Sequence, residues 1–200
     1  MPHQMEMSEP QKDEIVSNLT SRRRALDAPP TMLTPMTAEL LDQAIEGARQ
    51  SPRLRMILPL HKSADATLHR MFNAMQPGTY IAPHRHFCPP KAESILVLRG
   101  SMSFITFDDS GQVEQMIDVT AGSDVFGVDI EPGIFHTFLI LQPDTVMYEV
   151  KPGPYSPIDD KDFANWAPRE GDAAVAGYLA MLQQKRLSMK ANSNDNTSFQ

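Results

Sequence analysis

Residues 93–107 read Glu-Ser-Ile-Leu-Val-Leu-Arg-Gly-Ser-Met-Ser-Phe-Ile-Thr-Phe. Two runs inside this stretch, 94–99 and 101–107, have the two-residue period of a β-strand, in which successive side chains point to opposite faces. Gly100 separates the runs, and glycine readily adopts the backbone conformations that a tight turn requires. The stretch therefore predicts two short strands joined by a turn.

The same period recurs on both sides of this stretch. Further segments of this kind lie at residues 54–60, 79–83, 113–119, 125–130, 135–141 and 145–151. Turn-forming sequences such as Asp108-Asp109-Ser110-Gly111 and Pro132-Gly133 separate them. Eight short strands at this spacing are typical of a sandwich or barrel, and short connections favour antiparallel neighbours. We predict a mainly β, antiparallel fold.

Apolar residues at helical spacing predict three helices outside these strands. The first follows Thr34-Pro35, a helix-start signal, and its apolar stripe runs from Leu40 to Ala48. The second is shorter and rests on Leu68, Met71, Phe72 and Met75, and the third begins near Asp172 and uses Val175, Leu179 and Leu182. Two of the predicted helices flank the strands at the N- and C-terminal ends.

These patterns divide the chain of 200 residues into five segments. The expected organisation is a flexible N-terminal arm over 1–33, a helix packed on the barrel over 34–50, a β-barrel domain over 51–158, a C-terminal segment and helix over 159–187, and a disordered tail over 188–200.

The composition argues against several classes of partner. There are 18 Lys and Arg against 25 Asp and Glu, a formal charge of −7, and nucleic-acid binding needs a surplus of basic residues. The N-terminal residues lack the pattern of a signal peptide, and no apolar run approaches the ~20 residues that span a bilayer. We therefore expect a cytoplasmic protein without nucleic-acid or membrane partners. The single cysteine, Cys88, excludes an intramolecular disulfide.

Three of the six histidines lie in the predicted β region together with one glutamate. His84 and His86 are two residues apart, so their side chains share a face if the segment is extended. Glu93 opens the strand at 94–99, and His136 begins a later one. Because the inward faces of strands converge in a barrel, these four side chains can meet at one point.

Three imidazoles and one carboxylate suit a divalent transition metal such as Fe, Zn, Mn, Ni or Co, whereas Ca and Mg prefer oxygen ligands. Four protein ligands on an octahedral ion leave two positions for water or substrate. A one-residue shift in register would turn Glu93 outward and leave a site with three histidines.

The spacing of these residues resembles the conserved motifs of the cupin superfamily. The first motif is matched by Gly78-x5-His84-x-His86-x6-Glu93-x6-Gly100, and the second by Pro132-Gly133-Ile134-Phe135-His136. The gap between His86 and Glu93 is longer than in most cupins. It is similar to that of the WbuC-type cupin fold metalloproteins, as are Lys91-Ala92-Glu93 and the segment from Glu149 to Tyr155.

This resemblance extends over roughly residues 50–170 and implies a cupin-type jelly-roll β-barrel with one metal ion. The implied metal ligands are His84, His86, Glu93 and His136. The WbuC-type proteins are associated with bacterial surface-polysaccharide gene clusters, which implies a small polar substrate related to sugars. Cupins commonly pair their sheets, and the strand over 53–61 is suited to extend a partner's sheet, so we expect a homodimer.

Three functions remain open at this stage. The protein could be a metal-dependent enzyme of the oxygenase, isomerase or lyase type, with Tyr155 or Glu149 as acid or base. It could instead be a metal-dependent module that binds or senses a small ligand, or a metal-free, epimerase-like cupin. Arg85 is expected to face away from the site, and Cys88 is expected to be buried and unreactive.

Overall fold

The structure is a computed structural model that describes residues 23–156 and 160–197. Residues 1–22 of the predicted arm and residues 198–200 of the predicted tail lie outside the described residues. Within the described part, the chain forms two helices and ten strands. In chain order these are α1 (Ala38–Gln50), β1 (Arg55–Pro59), β2 (Leu68–Met75), β3 (His84–Arg85), β4 (Glu93–Arg99), β5 (Ser101–Phe107), β6 (Val113–Thr120), β7 (Gly127–Ile130), β8 (Phe135–Ile140), β9 (Thr145–Pro152), β10 (Asp162–Phe163) and α2 (Val175–Thr197).

The strands form two antiparallel sheets of five strands each. Their orders are β1-β2-β9-β4-β7 and β10-β3-β8-β5-β6. Four strand pairs are nested within one another, namely β2–β9, β3–β8, β4–β7 and β5–β6. One long hairpin that folds over on itself produces this nesting, which is the strand order of a jelly roll. The predicted mainly β, antiparallel architecture with flanking helices is therefore confirmed.

An apolar core fills one end of the space between the sheets. It consists of Met75, Ile95, Val97, Ile130 and Met147 from the first sheet and Met102, Phe104, Val119, Phe138 and Ile140 from the second. Burying one such side chain stabilises a fold by about 1.5–3 kcal/mol. Along the inner face of β9, the apolar Met147 is followed by the buried charged residues Glu149 and Lys151. The interior is therefore apolar at one end and polar at the other.

The two helices cover the outer faces of the sheets. In α1 the buried residues Ala44, Ile45 and Ala48 pack against β1 and β2, including Met56 and Phe72. The helix begins at Ala38 after Thr37, slightly later than the Thr34-Pro35 signal suggests. On the second sheet, Leu182 of α2 joins a cluster with residues of β5 and β8. The helix continues to Thr197, so the chain is helical well beyond the predicted boundary at residue 187.

The predicted short helix over residues 68–75 is wrong, because this segment is strand β2. From Met71 to Met75 every residue is buried. Phe72 and Ala74 lie under α1, whereas Met75 belongs to the core between the sheets. A strand covered on both faces carries apolar residues on both, so the two-residue period disappears from its sequence.

The predicted strand over residues 79–83 is also wrong. The regular pairing of this region begins only at β3. Side chains of other strands bind its backbone instead, since Arg55 donates to the carbonyl of Tyr80 and Thr137 donates to the carbonyl of Ile81. The segment is extended but held by side-chain hydrogen bonds.

Short connections do not always pair consecutive strands, contrary to our expectation. Only Gly100 separates β4 from β5, yet β4 pairs with β7 and β9 and β5 pairs with β6 and β8. The chain therefore passes from one sheet to the other at Gly100. This residue has a φ of +74°, a conformation that glycine adopts without strain.

The described part of the N-terminal arm lies against the outer edge of the first sheet. Ala25 forms a parallel bridge with Ile57 of β1, and the Leu26 amide donates to the Ile57 carbonyl at 2.7 Å. Part of the edge that we expected to pair with a second copy is thus occupied by the chain itself. The homodimer stays a prediction. Among the described helices, none combines the length and apolarity needed to cross a bilayer.

Gly100 and Gly122 provide a matched test of the passage between the sheets. Both have positive φ angles, but a Cβ at Gly100 would lie 2.4 Å from Thr145 Oγ1, whereas nothing lies within 4 Å of one at Gly122. We expect Gly122→Ala to cost about 1–2 kcal/mol from backbone strain, and Gly100→Ala to cost about 1–3 kcal/mol more from crowding. Urea unfolding measures both, and equal costs would contradict the proposed close packing at the passage.

Burial and the stacked ring of His61 lower the pKa of His69 from its ordinary value near 6.5. The unfolded chain therefore binds a proton at His69 more readily than the folded chain. The stability contributed by neutral His69 is complete only well above pH 6.5, the pKa of the unfolded chain, and is lost as the pH falls through that value. We expect the free energy of unfolding, measured with a chelator present, to fall between about pH 7.5 and about pH 5. His69→Gln should make this fall smaller, and an unchanged slope would be the contrary result.

Candidate metal centre

Three histidines from the second sheet meet at the polar end of the interior. His84 begins β3, His86 follows that strand directly, and His136 is the second residue of β8. The pairing of β3 with β8 places His84 opposite His136. The candidate ligand atoms of the three residues all lie within 4.8 Å of one another, and each residue is 3% exposed or less.

Backbone carbonyls fix the orientation of two of the rings. His84 Nδ1 lies 3.0 Å from the carbonyl oxygen of Ala82, and His136 Nδ1 lies 2.9 Å from that of Ile134. A carbonyl oxygen can only accept a hydrogen bond, so Nδ1 carries the proton in both rings. A neutral ring then has its lone pair on Nε2, the arrangement found in metal-binding histidines.

Glu93 faces these rings from the other sheet. It is the first residue of β4, whose burial alternates from Glu93 onward, so the carboxylate points inward with Ile95 and Val97. Its Oε1 lies 3.1 Å from His86 Nε2, and its Oε2 lies 3.1 Å from His136 Nε2. The outward-facing register, which would have left three histidines alone, is not the one adopted.

The contacts between Glu93 and the rings are short but are not hydrogen bonds. His86 Nε2 and His136 Nε2 are buried and have no hydrogen-bond partner. Because the His136 proton is on Nδ1, its Nε2 lone pair faces a carboxylate oxygen, and two acceptors at 3.1 Å repel each other. Either a metal ion or an additional proton between them would remove this repulsion.

The Glu93 carboxylate stays ionised despite its burial. Burial opposes its charge, whereas the ammonium group of Lys151 favours the charged form and lowers the pKa of the carboxyl. For His84 burial dominates, and with the nearby charge of Lys161 it lowers the pKa well below the ordinary value. The site thus combines a charged carboxylate with a neutral imidazole, as metal coordination requires.

A buried ion-pair network supports Glu93 from behind. Lys151 Nζ lies 3.4 Å from Glu93 Oε1, 3.1 Å from Glu149 Oε1 and 3.4 Å from Asp160 Oδ2. Asp160 also pairs with Lys91 at 2.8 Å. Burial opposes the charge on Lys151, but the surrounding carboxylates raise its pKa above its ordinary value. The network fixes one oxygen of Glu93 and leaves the carboxylate aimed at the histidines.

The two predicted acid or base residues lie in different environments. Glu149 is buried next to this network, and Asn73 Nδ2 donates to its Oε2 at 2.7 Å. Tyr155 is 46% exposed, and its backbone amide donates to the Ala64 carbonyl at 2.9 Å. The structure therefore brings Glu149, but not Tyr155, to the polar interior.

Two residues beside the histidines lie outside the centre. Arg85 projects to the opposite face of β3, as expected, where it pairs with Asp162 at 2.7 Å and lies over the Phe135 ring. Cys88 is exposed, so the prediction of a buried cysteine is wrong. It lies in the proline-rich loop between β3 and β4, where each of the residues 87–90 is exposed.

Sequence reasoning grouped Lys151 with Glu149 and Tyr155 in one polar cluster but did not place it beside Glu93. It did not identify the other charged or polar residues around Glu93, which are Lys91, Asp160 and Asn73. One signal for Lys151 was available. Met147, Glu149 and Lys151 are spaced by two within one strand, so assigning Met147 to the core places the two charged residues on the same inward face. For Lys91 and Asp160, which lie outside regular strands, no such period exists.

Two cavities of the structure lie away from the histidines. One, of about 530 Å³, lies between α2 and the second sheet and is lined by residues such as Asp118, Leu139 and Arg186. Another, of about 370 Å³, is lined by Arg85, Trp166 and their neighbours on the outer side of β3. Neither is lined by the three histidines or Glu93.

Comparison with known proteins gives a limited match. The model of a family described as a domain of unknown function, DUF6016, matches residues 36–119, which include His84, His86 and Glu93 but not His136. A search of curated proteins finds no significant match.

Among solved structures, the chain is similar to the capsular polysaccharide assembling protein CapF from Staphylococcus aureus, with 21% identity and a TM-score of 0.43, over 54% of this chain and 28% of that one. It is also similar to oxalate decarboxylase from Bacillus subtilis, with 20% identity and a TM-score of 0.40, over 48% of this chain and 24% of that one. The chain thus spans less than a third of the length of either protein.

Lys151→Met tests whether the network is needed for stability. The substitution leaves the buried carboxylates of Glu93, Glu149 and Asp160 without their shared cation, and breaking a buried pair costs about 3–5 kcal/mol. The matched control is Lys190→Met, because Lys190 is 55% exposed and pairs with Asp118 at the surface, which predicts a loss of about 1 kcal/mol or less. Denaturant unfolding with a chelator present compares the two, and similar losses would contradict the role given to the network.

Proposed function

We propose that this chain is a metal-binding protein of the cupin superfamily, a jelly-roll barrel with one divalent transition-metal ion. His84, His86, His136 and Glu93 would hold the ion, and a small polar molecule would bind beside it. The observation that carries the proposal is the contact between Glu93 and the histidines. A buried carboxylate faces imidazole nitrogens that have no hydrogen-bond partner, and a cation bound between them satisfies all of these groups.

The donor set limits the identity of the metal. Three imidazole nitrogens and one carboxylate oxygen suit Fe, Zn, Mn, Ni or Co, and nitrogen donors disfavour Ca and Mg. When bound, such an ion would act as a Lewis acid towards a polar ligand.

The residues around the centre have separate tasks in this proposal. The carbonyls of Ala82 and Ile134 fix the rings of His84 and His136. Lys151 holds Glu93 in place and keeps it ionised. Glu149, a buried carboxylate of this network, would accept or hold a proton during a reaction.

A second candidate is a module that binds or senses a small ligand without converting it. Two observations favour it. Both oxygens of Glu149 already accept from donors, since Oε1 pairs with Lys151 and Oε2 accepts from Asn73. Tyr155 is exposed at its position after β9. Both Glu149 oxygens are thus engaged by donors of the protein itself, as in a residue with a structural role.

The finer expectations from the sequence remain proposals. These are membership of the WbuC type, a sugar-related substrate, a homodimer and a cytoplasmic location. Of these, the identity of the bound small molecule, and whether the protein converts it, would distinguish the enzyme from the binding module most directly.

Metal analysis tests the proposal. We expect one Fe, Zn, Mn, Ni or Co ion per purified chain, and we expect His86→Ala and His136→Ala each to lower the metal affinity by more than about 100-fold, since even losing an outer partner costs 10–100-fold. The matched control is His61→Ala, which removes an imidazole bonded to the backbone of Arg70 and should leave the metal content unchanged.

A wild-type chain that binds no transition metal after incubation with each of these ions would contradict the proposal. If the metal binds, a screen of small polar molecules separates the two functions. Conversion to a new product indicates an enzyme, and retention of an unchanged molecule indicates a binding module.

A further inference from the structure

Lys161 lies on the same side of its strand as the histidines. The short strand β10 pairs with β3 so that Phe163 is opposite His84 and Asp162 is opposite Arg85. Directly paired residues share a face, and the Phe163 ring lies 5.9 Å from the His84 ring. Asp162 and Arg85 form their ion pair on the other face. Lys161 is two residues before Phe163, so its side chain leaves the chain on the face of His84.

The charges around Lys161 are those of the candidate metal centre. Its ammonium group interacts with the charges of Lys151, Glu149, Glu93 and Asp160, and its own charge acts on His84. Burial and the positive charge of Lys151 lower the pKa of Lys161 to about 8. The group is therefore largely protonated at neutral pH.

Lys161 differs from the other two lysines near the site in its lack of an ionic partner. Lys91 pairs with Asp160, and Lys151 pairs with Glu93, Glu149 and Asp160. No carboxylate of residues 23–156 or 160–197 lies within the 4.0 Å ion-pair distance of Lys161 Nζ. The residue is half-buried, and burial is the main cause of the lowered pKa of its ammonium group, so this group is poorly hydrated.

We propose that Lys161 binds an anionic group, a carboxylate or a phosphate, on the small molecule that occupies the metal centre. The inference rests on the proposed function and names the ligand class of that site. A buried ammonium group without a carboxylate at ion-pair distance is unfavourable, and an anionic ligand would supply that close partner. A divalent ion held by three neutral imidazoles and one carboxylate is itself cationic, which favours the same class of ligand.

Binding measurements with three probes test this inference. The full chain is loaded with Co(II), and malonate, inorganic phosphate and the neutral malonamide are titrated while heat and the visible spectrum of the cobalt are recorded. We expect malonate or phosphate to bind, and we expect Lys161→Met to weaken that binding about 10- to 100-fold, the range of a charge-assisted hydrogen bond. The binding of malonamide should not change between wild type and Lys161→Met.

Two further variants act as controls. Lys161→Arg keeps the charge and should retain most of the affinity for the anion, whereas Lys185→Met removes an exposed lysine of α2 and should have no effect. Cobalt content and circular dichroism are recorded for every variant. If Lys161→Met does not fold, the same comparison is made with Lys161→Gln.

The outcomes separate this inference from the proposed function. If the wild-type chain takes up none of Co, Fe, Zn, Mn or Ni, the proposed function fails; if it takes up another of these ions in place of cobalt, the titrations are made with that ion and followed by heat. If it takes up cobalt but binds neither anion, or binds them equally well with and without Lys161, the inference about Lys161 is overturned and the metal centre stands. Selective binding of malonate or of phosphate identifies which anionic group the site prefers.

Discussion

The Glu93 carboxylate lies 3.1 Å from two imidazole nitrogens in the space between the two sheets. The arrangement of the polar half of the structure depends on this contact. The carbonyl behind His136 places its ring proton on the far side, so the Nε2 lone pair points towards the carboxylate. Such an arrangement is unfavourable in a dry interior unless a metal ion or an additional proton lies between the two groups. A metal ion would meet this requirement and would also satisfy His86 Nε2, which has no hydrogen-bond partner.

The jelly-roll order explains how the four side chains meet. His84, His86 and His136 belong to the second sheet, whereas Glu93 opens β4 in the first sheet. The chain passes between the sheets at Gly100, and the pairing of β3 with β8 brings together histidines that are 52 positions apart in sequence. The apolar core at the opposite end holds the two sheets in this relation.

The sequence predicted the four site residues because their spacing combines a strand period with a family resemblance. It did not predict Lys91, Asp160 or Lys161, which lie outside the regular strands and meet the site through long-range packing. The helix predicted over residues 68–75 was wrong because β2 is buried on both faces, and such a strand has no two-residue period in its sequence. The strand predicted over residues 79–83 was wrong because side-chain hydrogen bonds replace strand pairing there. The passage between sheets at Gly100 depends on pairing partners distant in sequence, which no local pattern specifies.

Charges around the centre are arranged in two groups with different consequences. Lys91 and Lys151 are balanced by carboxylates and hold the protein side of the site rigid. Among the described residues no carboxylate lies within ion-pair distance of Lys161, which is why we propose that it binds the ligand and does not belong to the supporting network. Stability and ligand choice thus depend on different lysines in one small region.

The most direct measurement of the central claim is X-ray diffraction from metal-loaded crystals at the absorption edge of the bound metal. The account predicts a single anomalous peak within about 2.0–2.2 Å of three imidazole nitrogens and one carboxylate oxygen, those of His84, His86, His136 and Glu93. A peak elsewhere in the molecule, with these four side chains bound only to one another or to water, would contradict it.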